Sequence, residues 1–278
     1  MIDAFQLTRV LFRAALLSLL AGVYTCAVIL IERRTEADVP DLPGPLVAAL
    51  IFVASLLLGF RTNRAYERWW EARTLWGRLI SVSRNLAVKV RGLIQPSAEE
   101  KAEVLRLTVD YGRRLRDHLS GGAAGDAAGQ GHIPSSIVTQ LYAVLNRWKQ
   151  WGLVSDAELL ILDRELREFL EVCGGCERIK NTPTAISWRR FVRQVTAIYL
   201  FILPWGLPDA FGFWNVPLMV LIAYLVIGVE AIAHYVEEPF GDTEDHLDLE
   251  AICSSIERSC SEILGGQDVS SRQGMAHG

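Results

Sequence analysis

The chain has 278 residues, of which 51% are hydrophobic and 22% are charged, and its formal net charge is −4. The apolar fraction and the positive mean hydropathy do not fit a purely soluble chain, and the charged fraction does not fit a chain buried wholly in lipid. The composition therefore predicts a chain divided between bilayer and water. The mild charge and the lack of a basic arm argue against a nucleic-acid partner.

Four apolar stretches are candidates for membrane spans, since roughly 20 helical residues cross a bilayer core of about 30 Å. They are residues 14–31, 43–60, 192–208 and 216–233. The third is short and contains Pro204, so it is predicted to be broken or packed against protein. The first follows Arg9 and Arg13, but it is longer than the core of a signal peptide and is interpreted as a retained anchor.

Lysine and arginine are distributed unevenly around these stretches. Residues 61–91 carry eight of them and residues 178–193 carry five, whereas residues 208–215 carry none. Because basic residues stay on the cytoplasmic side, residues 61–190 and both termini are predicted to be cytoplasmic. The expected location is the inner (plasma) membrane, crossed four times.

The remaining segments have the patterns of helices. Amphipathic spacing predicts helices over 60–90, 98–119, 134–151 and 155–172, with residues 121–131 as a flexible glycine-rich connector. Ser155 and Glu158 form a predicted capping box. Residues 245–264 are predicted as one more helix and 265–278 as a disordered tail. With no strand-like alternation, the predicted fold class is all-α.

Three segments, in chain order, resemble the prokaryotic branch of the bestrophin family. They are LLLGFRTNRAYERWWEARTLWGRLISVSRN (56–85), the weaker CERIKNTP (176–183) and EEPFGDTEDHLDLE (237–250). The resemblance extends over roughly residues 11–263. It implies a single channel domain over 1–264 that assembles as a homopentamer of four-span subunits in membrane lipid. Such a channel passes small inorganic ions, with chloride the first expectation.

The resemblance also implies a hydrophobic neck formed by the second span. The family positions that line it fall on Phe52, Leu56 and Phe60. Four-residue spacing places these side chains on one helix face, and a ring of apolar side chains can gate a pore by dewetting. The spacing alone favours a face packed on lipid or on a neighbouring helix, since apolar helices commonly have such a stripe; the resemblance reverses that preference.

A second, cytoplasmic constriction is implied near residues 181–187. The candidate aperture residues are Thr182, Thr184 and Ile186. Family members often have an aliphatic residue beside the proline of this segment, where this chain has threonines. The identity of an aperture residue therefore stays open.

An acidic run after the fourth span has two interpretations. Asp242, Glu244 and Asp245, followed by Asp248, offer oxygen ligands of the kind that calcium prefers, and animal bestrophins bind calcium here through a denser run. The alternative is a solvated helix N-terminus, where acidic side chains favour the helix dipole. Calcium is the one cofactor considered; otherwise none is expected.

Charged residues at the membrane edges also have two interpretations. Glu230 is either a functional group that faces the pore or an interfacial residue. The arginines of GFRTNRAYERWWEAR (59–73) are interpreted as anchors on the cytoplasmic side rather than as a substrate clamp.

No pattern in the sequence predicts an enzyme. Cys173 and Cys176 form a CxxC that could join Cys253 and Cys260 in a zinc site, but the spacing favours buried, reduced thiols. The five histidines fit no ligand spacing. The alternatives to an anion channel are a cation-selective channel of the same fold and a non-conducting membrane scaffold.

Overall fold

The computed structural model describes residues 4–35, 43–121, 132–207, 209–241 and 246–265. Within those ranges the chain forms α-helices and no strand, which confirms the all-α fold class. The helices are α1 Ala4–Thr35, α2 Gly44–Lys89, α3 Ala98–Leu119, α4 Ile133–Gln150, α5 Asp156–Asn181, α6 Ile186–Ile202, α7 Asn215–Val236 and α8 Leu249–Gly265.

The chain divides into two compact units. Unit 1 comprises Met1–Trp70 and Pro183–His246, and unit 2 comprises Glu71–Thr182 and Leu247–Gly278. Helix α2 contributes to both, because the predicted segments 43–60 and 60–90 form one continuous helix of 46 residues. A π-helical turn, Val90–Ile94, follows it, and Gln95 ends the helix in the left-handed conformation with φ 50°.

Unit 1 is built on the contact of α1 with α7. Gly22 of α1 lies so close to α7 that an added Cβ would stand 2.5 Å from Val220 Cγ2. Small residues permit such close approach of helices in lipid, where the hydrophobic effect does not drive association. A small core of Val47, Leu203 and Met219 joins α2, the turn after α6 and α7.

Three helical segments of the described chain are long and apolar enough to cross a membrane. They are Leu11–Arg34, Gly44–Ile94 and Phe211–Val236. These segments contain the first and fourth predicted spans and all of the second except residue 43. The predicted third span, 192–208, differs from the structure. Its α-helix, α6, has 17 residues and ends at Ile202, and a 3₁₀ turn, Leu203–Gly206, follows because Pro204 lacks the N–H that an α-helix needs.

Unit 2 has a densely packed core of aromatic and aliphatic side chains. Helix α3 packs on α4, α5 and α8, and α4 packs on α5. Trp148, Tyr111 and Phe169 are fully buried, and the rings of the last two meet edge to face at 4.9 Å. The Trp148 indole donates to Glu100 Oε1 at 2.6 Å, so the buried N–H has a partner.

Helix α5 starts where predicted and ends later. The capping box is confirmed, since Ser155 Oγ accepts from the Glu158 N–H at 3.3 Å and the Ser155 N–H donates to Glu158 Oε2 at 2.8 Å. The helix continues through Gly174 and Gly175 to Asn181, not to about 172. An added Cβ on Gly175 would lie 2.9 Å from Leu75 Cδ1, so glycine serves close packing here rather than helix termination.

Helix α3 has the predicted bounds, Ala98–Leu119, whereas two other helices begin at different residues. Helix α4 begins one residue earlier than predicted, and α8 begins at Leu249 rather than at 245. Most of the predicted glycine-rich connector (122–131) and the predicted tail (266–278) lie outside the described residues.

Candidate functional site

The candidate site is an apolar stripe on the first half of α2. Phe52, Leu56 and Phe60 are 66%, 45% and 53% exposed, and their spacing sets them on one face of the helix. Ala54, on the opposite side, is 9% exposed and faces the interior of unit 1. Large apolar side chains arranged in a row and left uncovered by the chain itself mark a surface for another partner or for lipid.

The stripe becomes polar and aromatic towards the end of unit 1. Asn63 follows on the same face and donates to Glu67 Oε1 at 2.7 Å. The Tyr66 ring then stacks on Trp69 and Trp70, with centroids 6.3 and 6.2 Å apart. Such a change from apolar to amphipathic aromatic residues is typical of the level where hydrocarbon meets water.

A buried ion pair fastens α2 to α7 directly after the stripe. Arg61 is 3% exposed, and its Nη1 lies 2.8 Å from Glu230 Oε1. Arg193 of α6 approaches the same oxygen with Nε at 3.5 Å, but its side chain is 66% exposed. Glu230 is therefore an internal partner of α2 in this protomer, and Arg61 is a structural cation rather than a surface anchor.

A second polar contact fixes the same pair of helices. Arg68 Nε donates to the backbone oxygen of Glu237, just past the end of α7, at 2.8 Å. Arg61 and Arg68 are seven residues apart, two turns of one helix face. Both contacts hold the same face of α2 towards α7, and the apolar stripe lies on a different face of the helix.

A cavity of about 540 Å³ opens between α1, α6 and α7. Its lining is mostly apolar, with Arg13, Arg193 and Glu230 as the charged groups. The three residues of the stripe do not line it. The cavity and the stripe are therefore separate features of unit 1.

The candidate aperture residues lie at the end of α5 and the start of α6. Thr182 caps α5, with its Oγ1 donating to the Arg178 oxygen at 2.5 Å. Thr184 is half-buried. Ile186 is the first residue of α6 and is 57% exposed. Local capping accounts for Thr182, and the aperture assignment stays a prediction.

The acidic run is described only in part. Asp242, Glu244 and Asp245 lie outside the described residues, so calcium binding stays a prediction. Asp248 is described, and its Oδ1 accepts from the Ala251 N–H at 2.8 Å at the start of α8. This bond is the contact expected of a side chain that caps a helix N-terminus.

The cysteines are free thiols, as expected. Burial raises the pKa of Cys173 to about 12 and that of Cys260 to about 11, so both stay protonated and unreactive at neutral pH. The alternative interpretation, a zinc site of four cysteines, is not formed among the described residues.

These features define a class: an all-helical protein with membrane-length helices and an uncovered apolar stripe beside a buried ion pair. The family model described as "Bacterial/Fungal Bestrophin protein" matches residues 4–262. This chain belongs to the bacterial and fungal bestrophin family, as the resemblance implied.

Relatives in that family carry channel names. The voltage-dependent anion channel-forming protein of Mesorhizobium japonicum is 32% identical over 260 residues, covering 88% of this chain and 82% of its own. The protein of the same name from Nostoc is 26% identical, covering 93% and 91%. A crystal structure of a bacterial bestrophin homologue from Klebsiella pneumoniae, solved as a point mutant, shares the fold at a TM-score of 0.82, with 22% identity over 92% and 99% of the two chains.

Proposed function

We propose that this protein forms an anion channel in the inner (plasma) membrane, as a ring of five identical subunits around a central pore. The observation that carries the proposal is the uncovered stripe Phe52, Leu56 and Phe60 on α2, 66%, 45% and 53% exposed in the single chain. The relatives named as anion channel-forming proteins supply the ion class.

The stripe suits the narrow part of such a pore. In a ring of copies, one α2 from each subunit turns the same face to the axis, and aromatic and leucine side chains then form stacked apolar rings. Water leaves a narrow apolar zone readily, and an ion crossing it loses hydration, so the rings act as a gate. The ion pair Arg61–Glu230 would hold α2 in that rotation.

The proposed topology has four spans with both termini in the cytoplasm. Helix α6 and its 3₁₀ turn form a continuous run from Ile186 to Gly206, and protein contacts can satisfy the backbone near Pro204 in the membrane. The basic residues of 61–91 and 178–193 support the cytoplasmic side for unit 2.

Ion conduction is tested by recording from the purified protein in planar bilayers under a chloride gradient. We expect discrete current steps whose reversal potential lies near the chloride equilibrium potential. A reversal potential near that of the cation would replace the anion channel with the cation-selective alternative. If the protein gives no current in bilayers that record a known channel under the same conditions, the non-conducting scaffold is favoured.

Assembly is tested separately, by light scattering of the detergent-purified protein. After the bound detergent is subtracted, the protein mass should be near five times the 31.0 kDa of one chain. The physical reason is that four helices of one subunit do not enclose a pore, so a closed ring is required. A stable monomer or dimer contradicts the proposed pore.

A further inference from the structure

Two histidines and a glutamate meet in unit 2, far from the apolar stripe in sequence. His118 lies in the last turn of α3, His132 is the N-cap of α4 and Glu177 belongs to α5. The Nε2 atoms of His118 and His132 lie 2.8 and 2.6 Å from the same atom, Glu177 Oε1. All three ligand-type atoms lie within 4.8 Å of one another.

The orientation of His132 is set from its other side. Its Nδ1 lies 2.6 Å from Ser135 Oγ and 3.2 Å from the Ser135 backbone N–H. Without a metal, the Ser135 N–H donates to Nδ1 and Nε2 faces Glu177 Oε1. With a metal on Nε2, the ring proton would lie on Nδ1 and be donated to the Ser135 hydroxyl. A hydrogen-bonded partner on the second ring nitrogen is the usual support of a metal-binding histidine.

Glu177 supplies the negative charge. A glutamate carboxyl ordinarily ionises well below neutral pH, and two imidazole nitrogens lie 2.8 and 2.6 Å from its Oε1. The three side chains keep between 27% and 38% of their surface exposed, so an ion and a water molecule can reach them.

We propose that His118, His132 and Glu177 bind a divalent transition metal, zinc in the first place, with water as the fourth ligand. Two imidazoles and a carboxylate suit zinc, whereas calcium and magnesium prefer oxygen ligands alone. In a tetrahedral zinc site with bonds of about 2.0–2.2 Å, the ligand atoms lie about 3.4 Å apart. Each histidine Nε2 would therefore need to move about 0.7 Å further from Glu177 Oε1. Rotation of these partly exposed side chains would provide this separation.

The metal would join the ends of three helices. Residues 119–131 connect His118 to His132 and include the glycine-rich segment. A metal bound to both histidines would therefore join the two ends of this segment into a closed loop. Glu177 lies five residues before Thr182, and the metal would also restrain the C-terminal end of α5. The inference stands independently of ion conduction, because binding is measured without any current.

Zinc binding is measured on the intact detergent-purified protein, freed of metal by chelation, through titration with zinc chloride and elemental analysis. We expect one zinc per chain. His132→Gln and Glu177→Gln should each lower the affinity by more than about 100-fold, since loss of a supporting residue alone costs 10–100-fold. Glu171→Gln is the matched control on the same helix, because Glu171 is exposed and pairs with Arg78 at 3.0 Å.

A second measurement uses only the unmodified chain, so it does not depend on how well the variants fold. Zinc should protect His118 and His132 from carbethoxylation, read by peptide mass spectrometry, and leave the other histidines unchanged. Equal modification with and without zinc overturns the proposal. So does zinc binding that is the same in all four proteins, which would place the metal elsewhere.

Discussion

Replacing Phe52, Leu56 or Phe60 with alanine is expected to raise the current of the reconstituted protein several-fold without lowering the yield of oligomer. In the proposed ring each substitution is repeated in every subunit, so each would remove a whole apolar ring and would widen and wet the narrow zone. Because these side chains are 66%, 45% and 53% exposed in the protomer, their loss leaves no cavity inside the chain. Current and oligomer yield are measured on the same preparations.

Two controls separate a pore surface from a packed one. Leu58→Ala removes a half-buried side chain on the opposite side of α2 and should change the current little. Met219→Ala removes a fully buried side chain from the core of unit 1. That loss should cost about 2–5 kcal/mol and reduce the yield of folded oligomer. Intact oligomers with unchanged current in all three stripe variants would contradict the neck assignment.

The helices were predictable wherever local signals were complete. Ser155 and Glu158 marked the start of α5 because both residues of a capping box lie within one turn of the chain and are visible in the sequence. Its end was not predictable, because Gly174 and Gly175 look like a stop signal. In the structure Gly175 gives room to Leu75, which is distant in the chain, and a single sequence does not show such a contact.

The third span illustrates the same limit. Pro204 correctly marked an interruption, since proline removes a backbone donor. Hydropathy is averaged over the 3₁₀ turn and the helix alike, so it placed the third span over 192–208. In the structure α6 begins at Ile186 and has arginines in its first turns. The start of a helix that carries charges is poorly visible to a hydrophobicity pattern.

Long-range polar partners were the least predictable part. Glu230 stood out as an ionisable group in an apolar segment, but its partner Arg61 lies 169 residues earlier. His118 and His132 fit no short ligand motif, yet their ring centroids lie 5.3 Å apart. Spacing motifs capture ligands on one element, and these groups come from three helices.

Breaking the ion pair of Arg61 and Glu230 should destabilise the protein more than the removal of any exposed charged side chain. Glu230→Gln leaves the Arg61 guanidinium, 3% exposed, without its counter-charge. Two of its nitrogens, Nε and Nη2, already have no hydrogen-bond partner within the described residues. An uncompensated buried charge costs about 3–5 kcal/mol, which should appear as a marked fall in the apparent unfolding temperature in detergent.

The matched control is Arg193→Gln, which removes the second arginine that approaches Glu230 Oε1. Its side chain is 66% exposed and its Nε lies 3.5 Å from the carboxylate, so water replaces the contact and the loss should stay below about 1 kcal/mol. Replacing both members, Arg61→Met with Glu230→Met, removes the two charges together and should recover most of the stability that Glu230→Gln loses. Arg61→Met and Glu230→Met are also measured singly. If the double variant lost as much stability as the two single variants added together, the two side chains would not act as a pair.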